Sequence, residues 1–254
     1  MQEFALLVAV VLTATPAAAQ RPAFEQQRRD EAQHAYARGQ ELMRQETFEE
    51  AAAEFRTAIG LDPEHWLAYY DLGYTQMALK RFSAAVDAYL GCRAALGRFA
   101  SLDAQDQNSI EKLRDDEIRE LKDSLQKVET GKIKTSSPAG LEVRLQERLR
   151  MLEDARLRGK EKTNGVPAGL MLALGSAHFR AGQTAEAEKA YREAIKIDPK
   201  LGPAHNNLAV IYMMAGRFDE ASEEVRRAEK AGLSVPDEFK QELKRRALEA
   251  APPR

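Results

Sequence analysis

Leu174-Gly175, His178, Gly182, Ala187, Tyr191, Ala194 and Pro199 mark a stretch whose spacing returns 34 residues later as Leu208-Ala209, Tyr212, Gly216, Ala221, Val225, Ala228 and Leu233. Earlier in the chain Gly39, Ala51, Phe55 and Ala58 become Gly73, Ala85, Tyr89 and Cys92, again 34 residues on. A fixed period of this length means a repeated supersecondary unit that cannot bury its apolar face alone and must stack on its neighbours. The small residue at the eighth position of each copy and the Ala at the twentieth stand where two antiparallel helices approach closely. The large residue at the twenty-fourth fills the gap beside them.

The pattern resembles the tetratricopeptide repeat: a large residue, two spacers, Leu-Gly, two spacers, Tyr, then Ala with an aromatic four later, then Pro. The third copy matches best, with Met171, Leu174-Gly175, Ala187, Tyr191 and Asp198-Pro199, and His178 where Tyr is usual. The first has Ala35, Arg38-Gly39, Ala51, Phe55 and Asp62-Pro63; the second has Tyr69, Leu72-Gly73, Ala85 and Tyr89. Gly182 and Gly216 suit the turn inside a copy, where positive φ is easy only for Gly. Glu46 and Lys80 hold that slot in the first two copies, so those turns are expected to close differently or less comfortably. The fold expected is an all-α solenoid of two pairs of helix-turn-helix repeats. Alanine agrees, at 42 residues against 17 Val plus Ile, because Ala favours helix and β-branched residues favour strands.

Residues 100–167 equal two periods yet lack the small-residue pattern, which leaves two readings, a pair of divergent repeats or, preferred here, a long helical hairpin. Ile110, Leu113, Ile118, Leu121, Leu125 and Val128 predict one long helix from about Leu102 to Glu129, and Leu141, Leu145, Leu149 and Leu152 a second to about Leu157. Asp103 to Glu129 holds nine acids and five bases, and Leu141 to Lys162 five acids and seven bases, which favours antiparallel pairing as a long central hairpin. The same stripes would also serve pairing between two chains. Near the end, Ser234 with Asp237 predicts the cap of a terminal helix through Phe239, Leu243 and Ala247, with Lys240, Lys244, Arg245 and Arg246 facing water as a solenoid lid requires.

Phe4 to Leu12 is an unbroken apolar run followed by Ala17-Ala18-Ala19, the small residues a signal peptidase needs, so cleavage is expected after Ala19 although Met1-Gln2-Glu3 supplies no cation. The run is too short to span a bilayer core of about 30 Å, so no membrane span is expected once it is removed. The organisation expected is a signal peptide at 1–19, a first repeat pair at 20–99, the hairpin and its linker at 100–167, and a second pair with a capping helix at 168–254, in a periplasmic or secreted protein.

With 38 Lys plus Arg against 40 Asp plus Glu, the chain has no cationic surplus for nucleic acid. It carries no phosphate-binding or dinucleotide glycine motif, no nucleophile elbow and no paired cysteines, and Cys92 falls at a repeat core position. His34, His65, His178 and His205 show no metal-ligand spacing. Neither catalytic residues nor a cofactor nor a metal is therefore expected. The resemblance implies instead a protein partner held along the concave face that the first helices form. Counted from Ala32 and Trp66, the inward positions expected to bind it are Tyr36, Gln40, Arg44, Tyr70, Tyr74 and Met77, then Phe179, Arg180, Asn206 and Met213. The Lys and Asn set with which chaperone-binding members grip a C-terminal carboxylate is missing from Tyr36, Gln40, Tyr70 and Tyr74. Two functions stand: an exported, non-enzymatic interaction module or scaffold, and a structural protein that self-associates into a homo-oligomer through the hairpin.

Overall fold

The computed structural model describes residues 17–99, 104–132, 166–250 and, between them, residues 141–143, 145–146, 148–150 and 152–153. The helices are α1 Ala17–Arg44, α2 Phe48–Leu61, α3 Trp66–Ala78, α4 Phe82–Phe99, α5 Ala104–Glu129, α6 Ala168–Arg180, α7 Thr184–Ile197, α8 Gly202–Met214, α9 Phe218–Lys230 and α10 Asp237–Ala250. The described residues between 141 and 153 are helical as well, and no strand occurs among the described residues. Four helical pairs, α1/α2, α3/α4, α6/α7 and α8/α9, form an all-α solenoid.

The eighth-position glycines explain why each pair closes. A Cβ on Gly39 would lie 2.6 Å from the Phe55 ring, on Gly73 2.5 Å from Tyr89, and on Gly175 2.6 Å from Tyr191. Those distances are far inside van der Waals contact, so any side chain there would force the helices apart. The fourth copy uses Ala209, and its partner position shrinks to Val225; both are buried in one core. The turns that follow the first helices share one geometry. Thr47 N donates to Leu42 O and Glu46 N to Met43 O, and the same two bonds recur at Arg81/Lys80, Gln183/Gly182 and Arg217/Gly216, each a Schellman cap. Glu46 (φ 61°) and Lys80 (φ 58°) thus adopt the left-handed conformation that Gly182 and Gly216 adopt. The expectation that they close differently is corrected: the closure is the same, at a conformational cost of about 1 kcal/mol for a non-Gly residue.

The stack runs α2 on α3, α4 on α6, α7 on α8 and α9 on α10. Because α4 packs directly on α6, the second and third copies are neighbours although residues 100–167 separate them in sequence. The insertion is therefore looped out of a continuous solenoid. Its arms meet: Lys122 Nζ lies 2.7 Å from Glu153 Oε1, and Ile118, Leu121 and Leu152 share one apolar core with Trp66, Leu96 and Leu174, against which Leu145 and Leu149 pack. Val128 and Leu141 are buried too. At the far end α10 begins at Asp237, with Lys240 N donating to Pro236 O, so Ser234 stands before the helix and does not cap it. Leu243 is the buried anchor of this lid. The apolar run Phe4–Leu12 lies outside the described residues, and Ala17, Ala18 and Ala19 form the first turn of α1.

Candidate functional site: a groove in two halves

The first helices of the copies, α1, α3, α6 and α8, adjoin one another along one side of the stack, the side expected to be concave, and the hairpin lies against part of it. Over the first two copies the second arm of the insertion lies in the groove. Arg148 reaches Asp71 on α3 and donates to its Oδ1. Tyr36 on α1 donates to the other oxygen, Oδ2, at 3.2 Å, and Gln40 Nε2 donates to the Tyr36 hydroxyl at 2.9 Å. The guanidinium also sits over the Tyr36 ring, 5.5 Å from its centroid, a cation–π contact. Arg148 is 8% and Asp71 4% exposed. Burial pulls the Arg148 guanidinium down to about 9, still above neutrality.

Beside this pair a cavity of about 150 Å³ remains, walled by Met43, Tyr70 and Tyr74 from the repeats and by Leu121, Leu141 and Leu145 from the hairpin, with Gln40 and Arg44 at its edge. Tyr70 also packs against Tyr89, with ring centroids 5.6 Å apart and planes tilted by 57°. Of the residues expected to bind a partner, Gln40, Arg44, Tyr70 and Tyr74 thus gather in one place, but under the chain's own arm. Tyr36 is 2% exposed and covered by Arg148, so the expectation that it presents its ring to a partner is corrected.

Among the described residues, none of the hairpin lines the second half. A cavity of about 300 Å³ is lined by Met77, Ser176, Phe179, Arg180, Asn207 and Val210, with the Tyr191 hydroxyl at its floor donating to Ser176 Oγ at 3.3 Å. Burial pushes the Tyr191 phenol up, while bonds to Ser176 and Asn207 pull it back. The Arg180 guanidinium lies 4.9 Å from the Phe82 ring centroid, which sets it across the joint between the second and third copies. Asn207 lines this cavity rather than Asn206, its neighbour along α8. Met213 packs on the last core, and Met214 beside it is 60% exposed.

The remaining chemistry-bearing side chains hold the fold. His65 Nδ1 accepts from Ala68 N and caps α3, its Nε2 lies 3.1 Å from Gln33 Oε1, and burial pulls its pKa down. His178 bonds Gln183 across the turn at 2.6 Å. His205 is buried between Glu224 Oε2, at 2.6 Å, and Pro199 O, at 3.0 Å. Cys92 is buried and its thiol pushed well up by desolvation, the opposite of what a nucleophile needs. No group of acidic, His and Cys side chains that could hold a metal occurs among the described residues, nor does any helix there have the length and apolarity to cross a membrane.

Family models described as tetratricopeptide repeat match residues 36–100 and 150–203 and residues 178–234, together more than half of the chain. No curated protein matches it. Similar solved structures include PilW, described as a widely conserved type IV pilus biogenesis factor, at 16% identity over 86% of this chain and 89% of that one with a TM-score of 0.38. A thermophilic TPR protein from Thermus thermophilus is 17% identical over 86% and 98% with a TM-score of 0.33. YrrB, described as a TPR protein with an unusual peptide-binding site, is 19% identical over 84% and 92% with a TM-score of 0.27.

Proposed function

Because the chain belongs to the tetratricopeptide repeat family, a family of protein-interaction modules, we propose that it is an exported, non-enzymatic scaffold that holds an extended segment of a partner protein in the second half of its groove. The observation that carries this reading is the cavity of about 300 Å³ at the first helices of the third and fourth copies. Phe179, Val210 and Met77 offer it apolar walls, and Arg180 and Asn207 add polar groups able to bond a peptide backbone or carboxylate. Export rests on the apolar run Phe4–Leu12 and the Ala17-Ala18-Ala19 site. The alternative, self-association through the hairpin, ranks second, because Ile118, Leu121, Leu141 and Leu152 are buried within the one chain described.

Selection of a random peptide display library on the folded chain tests the reading. Enriched peptides are expected to lose about tenfold or more in affinity to Phe179→Ala, in line with a buried aromatic anchor. Peptides that bind Phe179→Ala as well as the parent would remove the groove from the function. N-terminal sequencing of protein made in its host tests export separately, and Gln20 is the expected first residue.

A further inference from the structure

The covered half of the groove carries a second reading, independent of the one above. The segment lying in it shows what that surface accepts: a helix with leucines at 141, 145 and 152 and an arginine at 148, all within one stripe at intervals of four, three and four residues. Asp71 meets the arginine with Tyr36 bonded to its second oxygen and Gln40 bonded to Tyr36, so α1 and α3 themselves supply bonds that orient the acceptor.

We propose that the concave face of the first two copies is a docking site for an amphipathic helix carrying one arginine within its leucine stripe, and that the chain's own arm is a displaceable occupant of that site. Three observations favour displacement over permanent closure. Among the described residues the arm and Tyr70, Tyr74 and Met43 enclose a cavity of about 150 Å³ rather than a close-packed seam. The Asp71–Arg148 pair is almost wholly buried, and for such a pair the cost of taking both charges out of water nearly cancels their attraction. The pair therefore fixes register and selects an arginine more than it adds affinity. Finally, α4 packs directly on α6, so the repeats keep a shared interface when the arm departs. A helix in trans with the same arginine-in-leucine stripe meets the same acceptor and gains in addition whatever it places in the cavity.

The test uses the full chain and a fluorescent peptide of residues 141–153. Arg148→Ala unlatches the arm while leaving Asp71, Tyr36 and Gln40 in place. The peptide is expected to bind this variant about tenfold or more tighter than the parent, and to lose that gain when its own arginine is replaced by Ala or when Asp71→Asn is added to the chain. Hydrogen exchange should speed up at residues 141–153 and stay slow in α3 and α4. Should Arg148→Ala lack the parent's helical signal, Arg148→Lys serves in its place: it keeps a cation opposite Asp71 but loses the planar fork, and a smaller gain of the same sign is expected. Absence of peptide binding to either unlatched variant overturns the proposal, as does binding indifferent to the peptide's arginine or to Asp71. Loss of protection in α3 and α4 together with the arm would show the hairpin to be a fixed part of the core.

Discussion

Replacing Gly73 by Ala isolates the contact on which the repeat geometry rests. The new Cβ would lie 2.5, 2.7 and 2.8 Å from Cε1, Cδ1 and Cζ of Tyr89, against an ordinary carbon–carbon separation of about 3.5–4.0 Å. Roughly 1 Å of movement is needed to restore that separation. The ring has nowhere to go, since Tyr89 is 2% exposed and packed against the tilted ring of Tyr70. Overpacking of this kind costs about 1–3 kcal/mol. Alanine returns up to about 1 kcal/mol of helix propensity, so the net loss is about 0–2 kcal/mol.

Gly97, exposed in α4 with no atom within 4 Å of a built Cβ, gives the propensity gain alone. The measurable quantity is the gap between Gly73→Ala and Gly97→Ala in urea denaturation followed by circular dichroism, expected at about 1–3 kcal/mol. Tyr89→Val recreates the Ala and Val pairing of the fourth copy. In a double-mutant cycle with Gly73→Ala it should show a favourable coupling of about 1 kcal/mol or more, even though Tyr89→Val alone is costly. Equal stabilities for the two glycine variants, or additive effects in the cycle, would refute the close-approach argument.

Glu46→Gly and Lys80→Gly should each stabilise by up to about 1 kcal/mol, because relief of a left-handed φ exceeds the entropy a Gly adds to the unfolded chain; thermal melting checks it, and Gly182→Ala should act with opposite sign. Gln76 is 1% exposed with neither amide atom bonded to a protein group, so Gln76→Leu is expected to stabilise by about 1 kcal/mol or more in the same denaturation assay. His205→Phe should destabilise by about 1–3 kcal/mol, since it strips buried Glu224 Oε2 of its imidazole partner while Arg227 keeps Oε1. Glu242, held down to about 2 by Arg245 and Arg246, should show that low midpoint in carboxyl-carbon NMR; its folded value lies below its unfolded one, so whatever these pairs lend to α10 is present above the ordinary range and fades as pH falls through about 2.

The solenoid was legible because its contacts are local and recur. Gly39 and Phe55, Gly73 and Tyr89, Gly175 and Tyr191 are each sixteen residues apart, and one helical pair enforces that spacing whatever surrounds it. The site was legible only by face. The inward register found Tyr70, Tyr74, Phe179 and Arg180, but a helix turns about 100° per residue and two adjacent asparagines look alike, so it named Asn206 where Asn207 lines the cavity. Asp71 and Arg148, 77 residues apart, share no period, and nothing in a repeat announces a bond to an insertion. A trace of it was present. Arg148 falls within the Leu141, Leu145 and Leu152 stripe, and a cation in an apolar stripe calls for a buried carboxylate elsewhere.

The length of the insertion decides which half of the groove it fills. At about 1.5 Å per residue the 26 residues of α5 give an arm of about 39 Å, several times the 8–10 Å that separates packed helices. An arm of that length rooted after α4 can return across both α3 and α1. It does so: Leu121 and Leu145 share a cavity with Met43 of α1 and Tyr70 of α3, while Arg150 turns the other way to bond Asp198 at the end of α7. The hairpin is thus tied to the third copy at its edge and covers the first two. Arg148 at Asp71 fixes the arm's register over the first two copies, and among the described residues none of the arm lines the cavity of Phe179, Asn207 and Val210.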